Sequence, residues 1–184
     1  MRRMIVQPAQ ADAAVAELKS WLAISRSSED GLLEGLVRSA FEVCEGFTGQ
    51  APLSQQVEER IAPLAGNHPL LSRPVRGLVS AHIEAQDGTR QSLDPAALNF
   101  SIDTDGKGSV TTTAAHDARA LILRLDVGIA EGWSTLPPAL QQGMIRLAAH
   151  EYRARDRTGP DRQLAFPPAS VTALWAPWRI MRLT

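Results

Sequence analysis

The sequence has 184 residues, of which 44% are hydrophobic and 21% charged, and its formal net charge is −1. This composition is typical of one globular domain with a hydrophobic core and excludes a disordered chain. The near-zero charge argues against nucleic-acid binding as a first hypothesis. The single cysteine, Cys44, excludes a disulfide framework. No segment has the pattern of a signal peptide or a membrane span, so no membrane partner is expected.

The first quarter of the chain, about residues 8–48, predicts a pair of helices. Val15 and Leu18 belong to an apolar stripe with helical spacing in the first of them. Ser27, followed by Asp30, predicts a capping box at the start of the second. The short link between the two segments favours an antiparallel helix pair.

The middle of the chain, about residues 50–130, predicts a β-rich insertion. The segment ALILRLDV alternates as a strand does, with Leu121 and Leu123 on one side and Ile122 on the other. Asp87-Gly88 favours a tight hairpin turn, and DTDGKG, which begins at Asp103, favours a second turn. We therefore expect a small antiparallel β unit.

A closing helix is predicted over about residues 137–156. Pro137 and Pro138 suit its first positions, where a missing N–H costs nothing. Its apolar residues recur at helical spacing and are expected to form the helix core: Leu140, Met144, Leu147, Ala148 and Tyr152. The fold class expected from all segments is mainly α with a small antiparallel β insertion (α+β). It would be a helix bundle with projecting β hairpins, in a single domain over residues 1–184.

One pair of residues on the closing helix suggests a metal site. His150-Glu151 is the first half of the zinc-peptidase pattern His-Glu-x-x-His, and a metal-dependent hydrolase is therefore one alternative function. The second histidine would have to stand at position 154, which is Ala154. The more economical interpretation is a pair of ordinary helix residues.

Three further chemical signals also favour structural interpretations. DTDGKG resembles the opening of a calcium loop, but its twelfth position is Ala114 instead of glutamate. Cys44 lies on an apolar helical face, as a packing cysteine does. The arginines between Arg153 and Arg162 are a candidate DNA-binding region, and the alternative is a solvated helix end. We expect no enzyme activity, no metal and no cofactor.

The C-terminal segment, about residues 170–184, carries more apolar surface than a free terminus needs. Pro177 breaks its short helix. The segment either folds back on its own core or binds a partner, because Trp, Met and Arg are enriched at interfaces. The candidate partner-binding residues are Trp175, Trp178, Arg179, Ile180, Met181, Arg182 and Leu183.

The order of these features resembles the head–tail connector (adaptor) family of long-tailed bacteriophages and prophage-derived gene transfer agents. The motifs that carry the resemblance are AVAELKSWLAI and DGLLEGLVRSAFEVCEGFTG at the start, RPVRGLVSAHIEAQDG in the middle, and LPPALQQGMIRLAAHEYRARD with VTALWAPWRIMRL at the end. The segment VGIAEGWSTLP departs from the tighter Gly-aromatic turn that is common in the family. The resemblance covers most of the chain.

The resemblance implies a structural protein that forms a ring of twelve subunits under the portal in the particle, with a monomer as the alternative state of the isolated protein. Its partners would be the portal protein, further copies of itself, and downstream neck, stopper or tail proteins. DNA would pass through the channel without sequence-specific binding. The C-terminal residues from Trp175 to Leu183 would reach into the portal. Such a protein would assemble in the bacterial cytoplasm and end in the neck of the particle.

Overall fold

The computed structural model of the protein describes residues 2–6, 11–113, 115, 117–155 and 167–180. The described helices are α1 (Ala11–Leu22), α2 (Asp30–Thr48), α3 (Pro138–Ala154) and α4 (Ala169–Trp175). The described strands are β1 (Arg2–Val6), β2 (Gln55–Ile61), β3 (Gly66–Pro69), β4 (Val75–Glu84), β5 (Arg90–Leu93), β6 (Asn99–Ile102), β7 (Gly108–Thr112) and β8 (Ala120–Val127).

The chain divides into two compact units. Met1–Gln7 and Leu53–Ile129 form a β unit, and Pro8–Pro52 and Ala130–Thr184 form a helical unit. The expectation of a mainly α fold is wrong, because the described strands form two antiparallel sheets and the fold is mixed α+β. Segments without an apolar alternation, such as Gly66–Pro69, also become strands here because a neighbouring strand satisfies their backbone hydrogen bonds.

The larger sheet has five strands in the order β1-β2-β8-β4-β5, and all its pairs are antiparallel. Strand β8 is central, with β2 on one side and β4 on the other. Leu121, Leu123 and Leu125 on this strand are fully buried, and Ile122 on its other side is buried as well. An apolar run of this kind is expected of a strand that is covered on both faces.

One buried carboxylate fixes the segment after β3 to strand β2. Glu59 is 1% exposed, and its carboxylate accepts hydrogen bonds from the Leu71 N–H (2.6 Å), the Ser72 N–H (3.1 Å) and the Ser72 hydroxyl (2.9 Å). A buried charge is tolerated when hydrogen bonds replace its water. Glu59 is therefore expected to hold this segment in place.

We predict that Glu59→Ala lowers the free energy of unfolding by about 3 kcal/mol, because it removes the acceptor of two backbone N–H groups. Its neighbour Glu58 is the matched control, since it forms an accessible ion pair with Arg90 at 3.0 Å. Glu58→Ala should cost less than about 1 kcal/mol. Urea denaturation of the two variants measures the difference, and equal costs would contradict the role given to Glu59.

The smaller sheet has three strands in the order β3-β7-β6. Its β6–β7 turn is the predicted DTDGKG segment. The Asp103 carboxylate accepts hydrogen bonds from the N–H groups of Asp105 (3.0 Å) and Lys107 (2.8 Å). The Asp103 side chain therefore stabilises the hairpin turn by accepting hydrogen bonds from backbone N–H groups of the turn, as aspartates in such turns do.

In the helical unit, α1, α2 and α3 pack against one another pairwise, and α4 packs on α3 and α2. The buried face of α2 repeats at helical spacing and consists of Leu33, Val37, Ala40, Cys44 and Thr48. None of the described helices has the length and apolar character needed to cross a membrane.

The predicted capping box at the start of α2 does not form. Glu29 occupies the N-cap position and makes no side-chain capping bond. Asp30 instead accepts a hydrogen bond from the Lys19 ammonium at 2.5 Å. Because α2 begins at Asp30 itself, this carboxylate stands at the first helical position and not at the third, where a capping box requires it.

Candidate partner-binding segment

The C-terminal segment begins with a tryptophan that is part of the helical core. Trp175, the last residue of α4, is fully buried, and its indole Nε1–H donates to the Leu140 carbonyl of α3 at 3.4 Å. Its ring lies 6.0 Å from the ring of Phe47 on α2. Trp175 therefore connects α4 to two other helices.

The indole fits against α3 because one residue of that helix has no side chain. A Cβ atom added to Gly143 would lie 2.1 Å from Trp175 Nε1 and 2.7 Å from Cε2. Gly143 is buried in the middle of α3, where glycine is otherwise a poor helix former. Close packing of the indole compensates for this helix-propensity cost.

The next residues follow the end of α2. The Gln50 side-chain amide donates to the Trp178 carbonyl at 2.6 Å, and the Ile180 N–H donates to the Thr48 carbonyl at 3.0 Å. The Arg179 guanidinium lies over the Phe47 ring, 5.3 Å from its centroid. Up to Ile180 the segment is thus attached to the helical unit, in line with the fold-back alternative.

The predicted partner-binding residues therefore have different surroundings. Trp175 is inaccessible, Trp178 and Ile180 are half-buried, and Arg179 is exposed. The remaining three, Met181, Arg182 and Leu183, lie outside the described residues. Among the described candidates, Trp178, Arg179 and Ile180 have surface that a partner could contact.

The five residues predicted for the core of α3 face the interior to different degrees. Leu140, Met144, Leu147 and Ala148 are buried, whereas Tyr152 is half-buried. The Tyr152 hydroxyl donates to the Glu29 carboxylate at 2.6 Å, and this hydrogen bond raises the pKa of the phenol. The Arg155 guanidinium lies 4.7 Å from the Tyr152 ring centroid.

The metal hypothesis finds no support in the surroundings of His150. His150 and Glu151 are half-buried on α3, and Ala154 follows them. Within the part of the chain that the structure describes, no three His, Cys, Asp or Glu side chains are grouped as metal ligands would be. His150 instead faces a groove with Trp21, Arg146 and Arg153.

The two other chemical candidates are Cys44 and the arginines considered for DNA binding. Cys44 is buried in α2, and burial raises the pKa of its thiol to about 12, so the neutral thiol is a poor nucleophile at ordinary pH. Of the arginines considered for DNA binding, Arg153 and Arg155 are exposed. Arg157 and Arg162 lie outside the described residues.

Two core residues were missed by pattern analysis. Trp133, 4% exposed, donates from its indole Nε1–H to the Glu17 carboxylate at 2.8 Å and meets the Phe41 ring edge-on. It lies in a short 3-10 turn after β8, where helix and strand periodicities give no signal. Gly143 was missed because a glycine within a helix gives no indication of what packs on it.

No protein-family model and no curated protein matches the sequence. Among solved structures, this chain is similar to a protein chain in the neck of the empty GTA particle computed with C6 symmetry. The TM-score is 0.80 at 20% identity, covering 100% of this chain and 97% of that chain. This chain is also similar to a protein chain in the neck of the native GTA particle computed with C12 symmetry. The TM-score is 0.78 at 21% identity, with 100% of this chain and 97% of that chain covered.

A third match is to a chain in the virion of the native gene transfer agent (GTA) particle. Its TM-score is 0.76 at 22% identity, with 100% of this chain and 97% of that chain covered. The chain has the fold of a gene transfer agent neck protein. This neck fold spans both the helical unit and the β unit. The resemblance expected from the sequence is thereby confirmed at the level of the fold.

Proposed function

We propose that the chain is a structural head–tail adaptor of a phage-like particle. The observation that carries the proposal is the match over 100% of this chain and 97% of a chain in the neck of a GTA particle, at TM-score 0.80. The match covers both the helical unit and the β unit. The proposed role is architectural and not catalytic.

The proposed assembly is a ring of twelve copies that docks on the portal protein and connects the DNA-filled head to downstream neck, stopper or tail proteins. The C6 and C12 symmetries of the matched necks support a cyclic arrangement. Cyclic rings use head-to-tail contacts between two different faces of each subunit. DNA would pass through the channel without sequence-specific contacts, in keeping with the net charge of −1. Assembly would take place in the bacterial cytoplasm, and the mature position would be the particle neck.

Electron microscopy of the purified protein, alone and mixed with its portal ring, tests this function. We expect twelve-fold rings, either free at high concentration or seated on the portal. If neither free rings nor a portal complex form at millimolar protein, the adaptor function is wrong. Salt-sensitive binding to DNA of any sequence in the same samples would instead favour the DNA-binding alternative built on the Arg153–Arg162 region.

The proposed portal contact is the C-terminal end, from Trp178 to Leu183. Deleting residues 181–184 retains Trp175 and its contacts with α3 and α2, so we expect a folded helical unit and loss of portal binding. Portal pull-down and thermal melting of the truncated chain measure the two effects. Trp178→Ala is the matched point variant, because the carbonyl that accepts from Gln50 belongs to the backbone and is retained. Full portal binding by the truncated chain would contradict the contact.

A further inference from the structure

A shallow basic groove lies on the helical unit beside α1, α3 and the start of α4. We call it the α3 groove, and its walls include Trp21, Arg146, His150, Arg153, Pro168 and Ser170. Arg146, His150 and Arg153 follow one another at spacings of four and three, so they share one side of α3. Trp21, at the end of α1, is 44% exposed beside them.

The α3 groove has the chemistry of a protein interface. Among the described residues of its wall, none is acidic. Arg146 and Arg153 have no ion-pair partner in the described part of the chain, and both are exposed. Arginine and tryptophan are the side chains that most often dominate binding energy at interfaces. A surface that fits this groove would carry carboxylates.

The outer side of α2 offers such a surface. Glu34, Arg38 and Glu42 are exposed at successive i, i+4 positions, which gives this row a formal charge of −1.

The two surfaces face different directions. Helices α1, α2 and α3 pack against one another pairwise, so the outer side of α2 points away from α3. On α3, Tyr152 reaches the start of α2 through Glu29, whereas Arg146, His150 and Arg153 project from another side of the helix. One subunit therefore cannot place its own α2 row in its own α3 groove.

We infer that the α3 groove of one copy receives the outer side of α2 from the next copy in the ring. This inference rests on the proposed adaptor function and names the contact that closes its ring. Arg146 and Arg153 would meet Glu34 and Glu42. Complementary charges on two different faces select a head-to-tail contact over a self-complementary one.

Two charge-reversed variants test the contact in the full chain, under conditions in which the wild type assembles. The groove variant is R146E/R153E, and the row variant is E34K/E42K. Each variant alone opposes like charges, so half-maximal assembly should require at least about a hundredfold more protein. An equimolar mixture restores opposite charges at every contact if the two variants alternate around the ring. The mixture should therefore assemble near the wild-type concentration.

Mass photometry and sedimentation measure assembly, and circular dichroism melting of each variant shows that it is folded. The control variant is K107E, which reverses the charge of an exposed lysine in the β6–β7 turn. This variant should assemble normally. Wild-type-like assembly of either double variant overturns the contact while leaving the adaptor function in place. Absence of rescue in the mixture also overturns it, and would assign the arginines to a different partner. Absence of wild-type rings, both free and on the portal, rejects the adaptor function itself.

Discussion

Replacing Gly143 with alanine is expected to lower the free energy of unfolding of the helical unit by about 2 kcal/mol. Alanine in a helix interior is by itself more favourable than glycine by about 1 kcal/mol. At this position the added Cβ would lie 2.1 Å from Trp175 Nε1, and 2.8 Å from Cδ1 of the same ring. The rigid indole must move, and the steric cost exceeds the gain in helix propensity. Urea or thermal denaturation measures the net effect.

The matched control is Gly35→Ala on α2. Gly35 is also a helical glycine, but no atom lies within 4 Å of an added Cβ, and the residue is exposed. This variant should raise the free energy of unfolding by up to about 1 kcal/mol, because only the propensity effect operates. The two substitutions are thus expected to differ in sign. A stabilising Gly143→Ala would show that the close fit of Trp175 on α3 does not exist.

Trp175→Ala should be the most damaging single substitution in the C-terminal segment, with an expected loss of about 3–5 kcal/mol. It removes a fully buried indole, the hydrogen bond to the Leu140 carbonyl and the contact with Phe47. Trp178→Ala should lower the free energy of unfolding by about 1 kcal/mol, because the half-buried Trp178 side chain buries less apolar surface in the folded protein than Trp175 does.

Chemical denaturation followed by circular dichroism compares the two tryptophan variants. Similar losses for Trp175→Ala and Trp178→Ala would contradict a core role for the first. This comparison also sets the boundary for truncation experiments. A deletion that begins at Trp175 removes core packing, so any loss of binding would reflect unfolding, whereas a deletion that begins at residue 181 leaves the described core in place.

The sequence predicted elements wherever one residue pattern determined the local structure. The alternation around Leu121 and Leu123 identified the central strand β8, and Asp87-Gly88 marked the β4–β5 turn. Spacing of the apolar residues located α2 and α3. In each case the side chains that determine the element lie within it, so neighbouring residues carried enough information.

Features that depend on distant partners were not predictable in this way. Strand β3, with the sequence GNHP, has no β pattern and forms because β7 pairs with it. The Lys19–Asp30 hydrogen bond joins α1 to α2, and no pattern within α2 indicates it. Whether Trp175 faced the core or a partner depended on Gly143, and no local pattern connects these two residues. The proportion of β structure was underestimated for the same reason.

The two ends of the inserted segment, residues 53–129, lie side by side, so the loop-closure entropy of this segment depends little on its length. In the helical unit, the Ala130 N–H donates to the Pro52 carbonyl at 3.2 Å, and in the β unit Gln55 is the register partner of Val127. The chain between these points therefore behaves, for the helical unit, as a loop whose ends are already joined. Closure entropy grows only with the logarithm of loop length. Hairpins can lengthen or shorten within residues 53–129 at little cost to the helices, which leaves the helical surfaces free to be conserved while the insertion diverges.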